Sequence, residues 1–277
     1  MTKIVIDPGH GGIDPGAVSG NHQEKDFTLE IALGVRDYLT ANYQATLLMT
    51  RTTDATVSLT QRTDYANANK ADYFVSIHIN AGGGTGWESY IYNGGVSPFT
   101  VDAQIIIHST VMDVIGPKYG VRDRGKKRAN FHVLRETHMP AILMENLFID
   151  TDGDLNLLRN ASFIHDLSHG IGLGIGKALS LPAKPAKLYK VMAGSFESQE
   201  NARDRERYLE QNGIEAVVVT ATVNGQLRYR VQAGAFSERS NAEARLAEVK
   251  KGESRMLLLS KSSQTTAQRK GGSLGGK

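Results

Sequence analysis

The chain has no cysteine, and that absence removes thiolate metal ligands, disulfide bonds and a cysteine nucleophile together. It also lacks any apolar run near the roughly 20 residues of a spanning helix, so no membrane segment or membrane partner is expected. One-sided charge is missing too. Lys and Arg number 32 against 29 Asp and Glu, a formal net charge of +3, which leaves no polyanion-binding footprint and no reason to expect nucleic acid as a partner. Neither a basic n-region nor an apolar h-region precedes the first strand, so no secretory signal is expected. Any chemistry must come from nitrogen and oxygen side chains. At 277 residues the chain has room for two domains of roughly 100–200 residues each.

What is present starts with Asp7-Pro-Gly-His-Gly-Gly12, directly after the apolar β-branched run Lys3-Ile-Val-Ile6. The run reads as a buried strand and places His10 in the glycine-rich turn at its end, where missing side chains let backbone and ligand approach closely. Asp26 is the expected cap of a helix with Phe27, Ile31, Val35 and Leu39 on one face. Ala45 to Thr50 reads as a strand, and Ser58 with Gln61 has the capping-box spacing that opens a helix to about Asn69. Asp72 to Ile79 is too continuously apolar for a one-sided strand, and it carries His78 at its end. Further on come a strand at Trp87 to Tyr92, a helix at Val101 to Ile115, a short strand at Phe131 to Leu134 and a buried strand at Ala141 to Met144 that ends in Glu145. A long helix with Ile164, Leu167, Ile171, Ile175 and Leu179 on its apolar stripe closes the unit.

This alternation predicts an α/β domain with a mostly parallel or mixed sheet flanked by helices. Ligands of such sheets bind beyond the carboxyl ends of the strands. His10, His78 and Glu145 each follow the last apolar residue of a separate strand, so the fold would gather them at one sheet edge.

From Ser180 the composition changes: SLPAKPAKL holds two of the seven prolines and reads as a semi-rigid linker. A repeat follows, in which Tyr189-Lys-Val-Met-Ala-Gly-Ser-Phe196 matches Tyr229-Arg-Val-Gln-Ala-Gly-Ala-Phe236 at an offset of 40 residues. Each half reads as strand, helix, strand, with Val217 to Thr220 and Met256 to Leu259 as returning strands, giving a small α+β domain. The expected organisation is a catalytic domain at 1–181, a linker at 182–188, the repeat domain at 189–260 and a disordered tail at 261–277.

With thiolates excluded, a catalytic zinc needs three nitrogen and oxygen ligands and an open position for water. His10 and His78 are the strand-end candidates. Glu24, between the glycine loop and the following helix, is the carboxylate best able to reach them, with Asp7 and Asp14 as weaker contenders. Glu145 would serve as general base or acid.

The motifs DPGHGG, HQEKDF, SIHINA and PAILMENLFID stand in this order along the chain. Together they resemble the zinc-dependent N-acetylmuramoyl-L-alanine amidases that trim bacterial peptidoglycan. The resemblance implies one Zn2+ on His10, Glu24 and His78, with Glu145 as the catalytic carboxylate. The two AGxF-containing halves look like a sporulation-related repeat (SPOR) domain, a module that binds glycan strands stripped of stem peptides, and the pairing most resembles the amidases with which spore formers digest the mother-cell wall. It further implies synthesis in the cytoplasm and action on the wall after release or lysis. Rival readings are a wall-directed zinc peptidase or deacetylase, and a non-catalytic wall-binding protein.

Other groups carry weaker expectations. His165 and His169 have the i, i+4 spacing of a helical metal pair but no carboxylate motif, and read as solvated. His22 reads as an exposed loop residue, and His108, His132 and His138 as structural. The basic run Val121 to Arg128 reads as a solvated loop, or as a cleft lining whose Lys126 and Lys127 attract stem-peptide carboxylates. Arg135 joins Lys126 as a candidate substrate contact. In the repeat domain Val191, Val231, Phe196 and Phe236 are expected to pack, leaving Gln232, Tyr229 and Tyr189 as candidate glycan contacts. Met192 in place of a second glutamine makes the two halves unequal.

Overall fold

The computed structural model describes residues 1–185 and 188–251, and the chain forms two compact units that divide after Lys184. Four strands of the first unit run parallel: β1 (Lys3–Pro8), β4 (Thr46–Met49), β5 (Tyr73–Asn80) and β8 (Ala141–Phe148). Next to β8, β6 (Trp87–Tyr92) lies antiparallel, and β7 (Asp123–Ala129) closes that edge parallel to β6. The sheet is therefore mixed, in the order β4-β1-β5-β8-β6-β7. A two-residue ribbon of β2 (Val18–Ser19) and β3 (His22–Gln23) sits in the loop after β1.

The apolar periodicity decides which helix covers which face. Ile4, Ile6, Val75, Ile77, Ile142 and Met144 point to one side and are buried by α1 (Glu24–Asn42), α3 (Pro98–Tyr119) and α6 (Ala161–Ala178). Val5, Phe74 and Leu143 point to the other, under α2 (Leu59–Ala68) and the one-turn α4 (His132–Arg135). On that second face the row nearest the carboxyl ends turns polar, with Asp7 on β1, Ser76 and His78 on β5, Glu145 on β8 and Glu88 on β6. A short α5 (Asp152–Leu158) follows β8.

Several expected boundaries move. Helix α1 begins at Glu24, and its N-cap Gln23 makes no side-chain cap bond, so Asp26 lies inside the first turn and meets the helix dipole instead of capping it. Phe131 to Leu134 is not a strand: the Phe131 carbonyl accepts from the Leu134 and Arg135 amides and opens α4. The basic run is not a loop either, since Asp123–Ala129 pairs with β6 as an edge strand, where charged side chains discourage further pairing. Strand β8 runs past Glu145 through a bulge with Leu147 at φ 71°, an irregularity of the kind found beside active sites. Residues 182–184, expected as linker, bond to the end of α1, with Gln44 N to Pro182 O at 2.8 Å and Lys184 N to Asn42 O at 2.7 Å.

The second unit is a three-stranded antiparallel sheet, β10 (Val217–Val223), β11 (Gln226–Phe236) and β9 (Tyr189–Phe196) in that order. It packs on α7 (Gln199–Gln211) and a helical stretch at 239–251. The repeat is visible in its core, where Val191 and Val231, Ala193 and Ala233, and Ala202 and Ala242 are buried as equivalent pairs. Each AGxF glycine is required by its own phenylalanine. A Cβ on Gly194 would come within 2.5 Å of the Phe196 ring, and one on Gly234 within 2.6 Å of Phe236. The returning strand expected at 256–259 and the tail from 261 lie outside the described residues.

Candidate active site

The turn after β1 is held from below by two buried arginines. Arg62 donates to the carbonyls of Pro8 and His10, both at 2.6 Å, and Arg51 donates to those of Pro8 at 3.1 Å and Gly9 at 2.8 Å. Asp7 anchors this frame, accepting from Arg62 at 2.7 Å, Thr50 Oγ1 at 2.6 Å and Ser76 Oγ at 2.8 Å. Asp7 is thus committed to the turn and stands outside the ligand cluster. The frame keeps His10 at φ 59°, a left-handed conformation that costs a histidine energy and persists because its surroundings fix it. Gly9 leaves the space that the His78 ring fills. Gly16, at φ 66°, could not carry a Cβ without bringing it within 2.6 Å of Glu24 Oε2.

Glu24 is the centre of this half of the site. It sits in the first turn of α1, where the helix dipole favours an anion. Its Oε1 accepts from the Ile79 amide at 2.9 Å and faces His78 Nδ1 at 3.0 Å. Its Oε2 accepts from the Ala17 amide at 2.9 Å and faces His10 Nε2 at 3.2 Å. Burial works against the charged form, but the bonds from both histidines outweigh it and hold the carboxyl far below the usual range. Burial likewise opposes charge on both imidazoles, while Glu24 raises His10 and His78 above their ordinary value, helped by Asp14 and by Glu145 respectively. Asp14 Oδ2 lies 2.9 Å from His10 Nδ1 and so fixes the ring with Nε2 turned inward.

Among the described residues, His10, Glu24 and His78 form the one group of three metal-ligating side chains, with ligand atoms within 4.8 Å of one another. Two imidazole nitrogens and one carboxylate are the donor set of a three-ligand site, and these residues can hold a metal ion.

Glu145 stands beside this group on β8, the register partner of His78 on one side and Glu88 on the other. Its Oε2 is buried and has no hydrogen-bond partner. Burial, reinforced by the charges of Glu24 and Glu88 and only partly offset by His78, pushes it up to about 7. A carboxyl so placed exchanges a proton near neutrality, as a general base or acid must. Asn146 ties the neighbouring backbone down, donating to the His78 carbonyl at 2.9 Å and accepting from Trp87 Nε1 at 2.8 Å.

The candidate substrate contacts are placed less uniformly. Lys126 pairs with Ser89 and so lies on the α3 side of the sheet with His108, away from His78 and Glu145. Its neighbour Lys127 pairs with Tyr90 and shares the site face. Arg135 bonds Asn130 at 2.7 Å and Glu136 at 2.6 Å, and lines a hollow at the amino end of β8, the far edge from the cluster. In the repeat unit Tyr229 packs against the core while Gln232, paired with Met192, lies on the opposite face of β11, so these two do not share a surface. Tyr189 pairs with Phe236 at the strand end.

Of the remaining histidines His108 is structural as expected, whereas His22, expected in an exposed loop, is half-buried in β3, and His169, expected to be solvated, is half-buried on α6. His108 bonds Ser89 and Asp123, both at 2.9 Å, and His169 stacks on Tyr38 with centroids 4.5 Å apart. His165 pairs with Asp166, and His22 lies against Phe27. His132 and His138 line a hollow against α2. Sequence reasoning missed Arg51, Arg62 and Glu88, which carry no motif spacing of their own.

An N/O donor triad next to an unpaired carboxyl, both at the carboxyl edge of a mixed α/β sheet, defines a hydrolase built around a metal-competent cluster. Residues 4–177 match the family described as N-acetylmuramoyl-L-alanine amidase, and residues 185–256 match the SPOR domain. The amidase CwlM of Bacillus licheniformis is 48% identical over 220 residues, covering 79% of this chain and 85% of its own. The sporulation-specific N-acetylmuramoyl-L-alanine amidase of Bacillus subtilis (strain 168) is 48% identical over 221 residues with the same coverage. The crystal structure of an N-acetylmuramoyl-L-alanine amidase from Clostridium difficile 630 superposes with a TM-score of 0.61 at 35% identity, covering 65% of this chain and 97% of that one. The chain belongs to the N-acetylmuramoyl-L-alanine amidase family: it is a peptidoglycan amidase with a C-terminal SPOR domain.

Proposed function

We propose that His10, Glu24 and His78 hold a single zinc ion and that Glu145 is the proton-transferring carboxylate. The bond cleaved is the amide between the lactyl group of N-acetylmuramic acid and L-alanine. The observation that carries this reading is the juxtaposition of three N/O donors within 4.8 Å with the partnerless buried oxygen of Glu145. Two imidazoles and a carboxylate suit zinc and, unlike a closed four-ligand structural site, leave a position for reaction. When bound, zinc supplies Lewis-acid polarisation of the amide carbonyl and lowers the pKa of water at the site. The protein's own residues do the rest. Asp14 keeps His10 Nε2 directed at the cluster, the Ala17 and Ile79 amides fix the Glu24 carboxylate, and Glu145 accepts a proton from the attacking water and delivers it to the leaving amine of L-alanine. The SPOR unit retains the enzyme on glycan and raises the local substrate concentration.

Mass spectrometry of peptidoglycan digested with and without chelator tests the reading. The expected products are free peptides with L-alanine at the amino terminus and intact glycan, absent with chelator and restored by zinc. Release of acetate, or new termini inside the peptide, would instead establish a deacetylase or a peptidase.

A further inference from the structure

Glu88 is almost fully buried, 1% exposed, and its only part in the site described above is the charge it sets beside Glu145. Its carboxylate is saturated. Asn80 Nδ2 at 2.8 Å and Tyr90 OH at 3.0 Å donate to Oε1, while Arg124 Nε at 2.8 Å and Lys127 Nζ donate to Oε2. Arg124 also lies over the Phe148 ring, 4.7 Å from its centroid, and Lys127 over Tyr90 at 5.7 Å. Two cations therefore stand in fixed positions on one carboxylate and leave a surplus positive charge. Both cations reach solvent, with side chains 25% and 37% exposed. Each has donors beyond the one given to Glu88, since an ammonium carries three and a guanidinium five. Glu88 is the register partner of Glu145, and Tyr90 shares the site face with it, so this cationic pair sits two strands from the proton-transferring carboxyl.

The chemistry of the substrate says which half such a pair would meet. In a muramoyl peptide the lactyl carboxyl is consumed in the scissile amide, and the sugar carries only hydroxyl and acetamido groups. The anionic groups all lie on the peptide side.

We infer that Arg124 and Lys127, seated on Glu88, form the subsite that binds a carboxylate of the stem peptide, and that they orient the substrate with its peptide along β6 and β7. This rests on the amidase reading. Glu88 is a positioning residue here: it holds both cations at the height of Glu145 without itself touching substrate.

The fold supplies its own control. Lys126 and Lys127 are adjacent and equal in charge but lie on opposite faces of β7. The test uses the zinc-loaded full chain and two muramoyl-L-alanyl peptides that differ only in one carboxylate, free in the first and a primary amide in the second. Wild type should cleave the free acid about tenfold more efficiently, the size of one charge-assisted hydrogen bond at a partly exposed cation. Lys127→Met and Arg124→Met should each remove that preference by raising KM for the acid alone. Lys127→Arg should restore it, and Lys126→Met should keep it. An unchanged circular dichroism spectrum shows that a variant is folded, and where Lys127→Met fails to fold, Arg124→Gln takes its place. A wild type without preference, or a preference that survives both Lys127→Met and Arg124→Met, would overturn the subsite. Equal loss in Lys126→Met would replace it with a diffuse field. Should wild type cleave neither compound, the amidase reading fails, and calorimetric binding of the two peptides to Glu145→Gln and to Glu145→Gln with Lys127→Met still decides the subsite.

Discussion

The site has two halves that treat a buried carboxylate in opposite ways. On the β1 side, Glu24 is surrounded by donors: two amides and two imidazoles converge on it and hold it ionised. On the β8 side, Glu145 has a buried oxygen with no partner, flanked by the charges of Glu24 and Glu88, and is pushed up to about 7. One half is built to hold a charge permanently, the other to pick up and release a proton. Burial alone does not separate them, because desolvation opposes ionisation in both; the number of donors does.

The strongest way to break this comparison is to remove a ligand. Glu24→Ala or His78→Ala leaves two donors, so the protein should lose its zinc by elemental analysis, with activity falling about 1,000-fold or more. Glu145→Gln should do the reverse on the first count, keeping zinc while lowering kcat by about 100- to 10,000-fold. If Glu145→Gln also released the metal, the division between a holding half and a proton-transferring half would be wrong. A smaller effect sharpens the holding half: Asp14→Asn weakens the clamp on His10 Nδ1, and zinc affinity should fall about tenfold with little change in kcat at saturating metal.

How far these halves could be read in advance differs between them, for physical reasons. The β1 half was legible because a strand ending in a glycine turn announces itself by β-branched residues followed by glycines, and His78 and Glu145 end similar apolar runs. Even there the helix start slipped, since Asp26 has the residue type of a cap while Gln23 occupies the position. The β7 wall was illegible as a strand. Asp123–Ala129 has no apolar alternation, because an edge strand with charge on both faces leaves none, so the run reads as loop. Its alternative reading as a cleft lining names Lys127 only together with Lys126, which lies on the other face. Phe131 to Leu134 has strand propensity and is too short for a helical period to show. Arg51 and Arg62 were invisible because a buried arginine that binds backbone carbonyls needs no partner motif. In the repeat unit the register of 40 residues revealed the core pairs, but not that Tyr229 and Gln232 point to opposite faces.

The mildest prediction concerns the proton-transferring half in the absence of metal. Between the ordinary carboxyl value of 4.5 and about 7, the native chain keeps a proton on Glu145 that the unfolded chain has released. The native state then binds more protons than the unfolded one, so this residue's contribution to unfolding free energy falls as pH rises through that window. Glu145→Gln carries no such group. In chelator, its thermal midpoint relative to wild type should therefore climb from pH 5 to pH 8. Zinc must act in the opposite direction, because a nearby dication favours the carboxylate form, and saturating metal should flatten the difference. Thermal unfolding of both proteins at the two pH values, with chelator and with zinc, measures all four corners. A difference independent of pH in chelator would mean that Glu145 is ionised throughout like Glu24, and the contrast between the two halves would collapse.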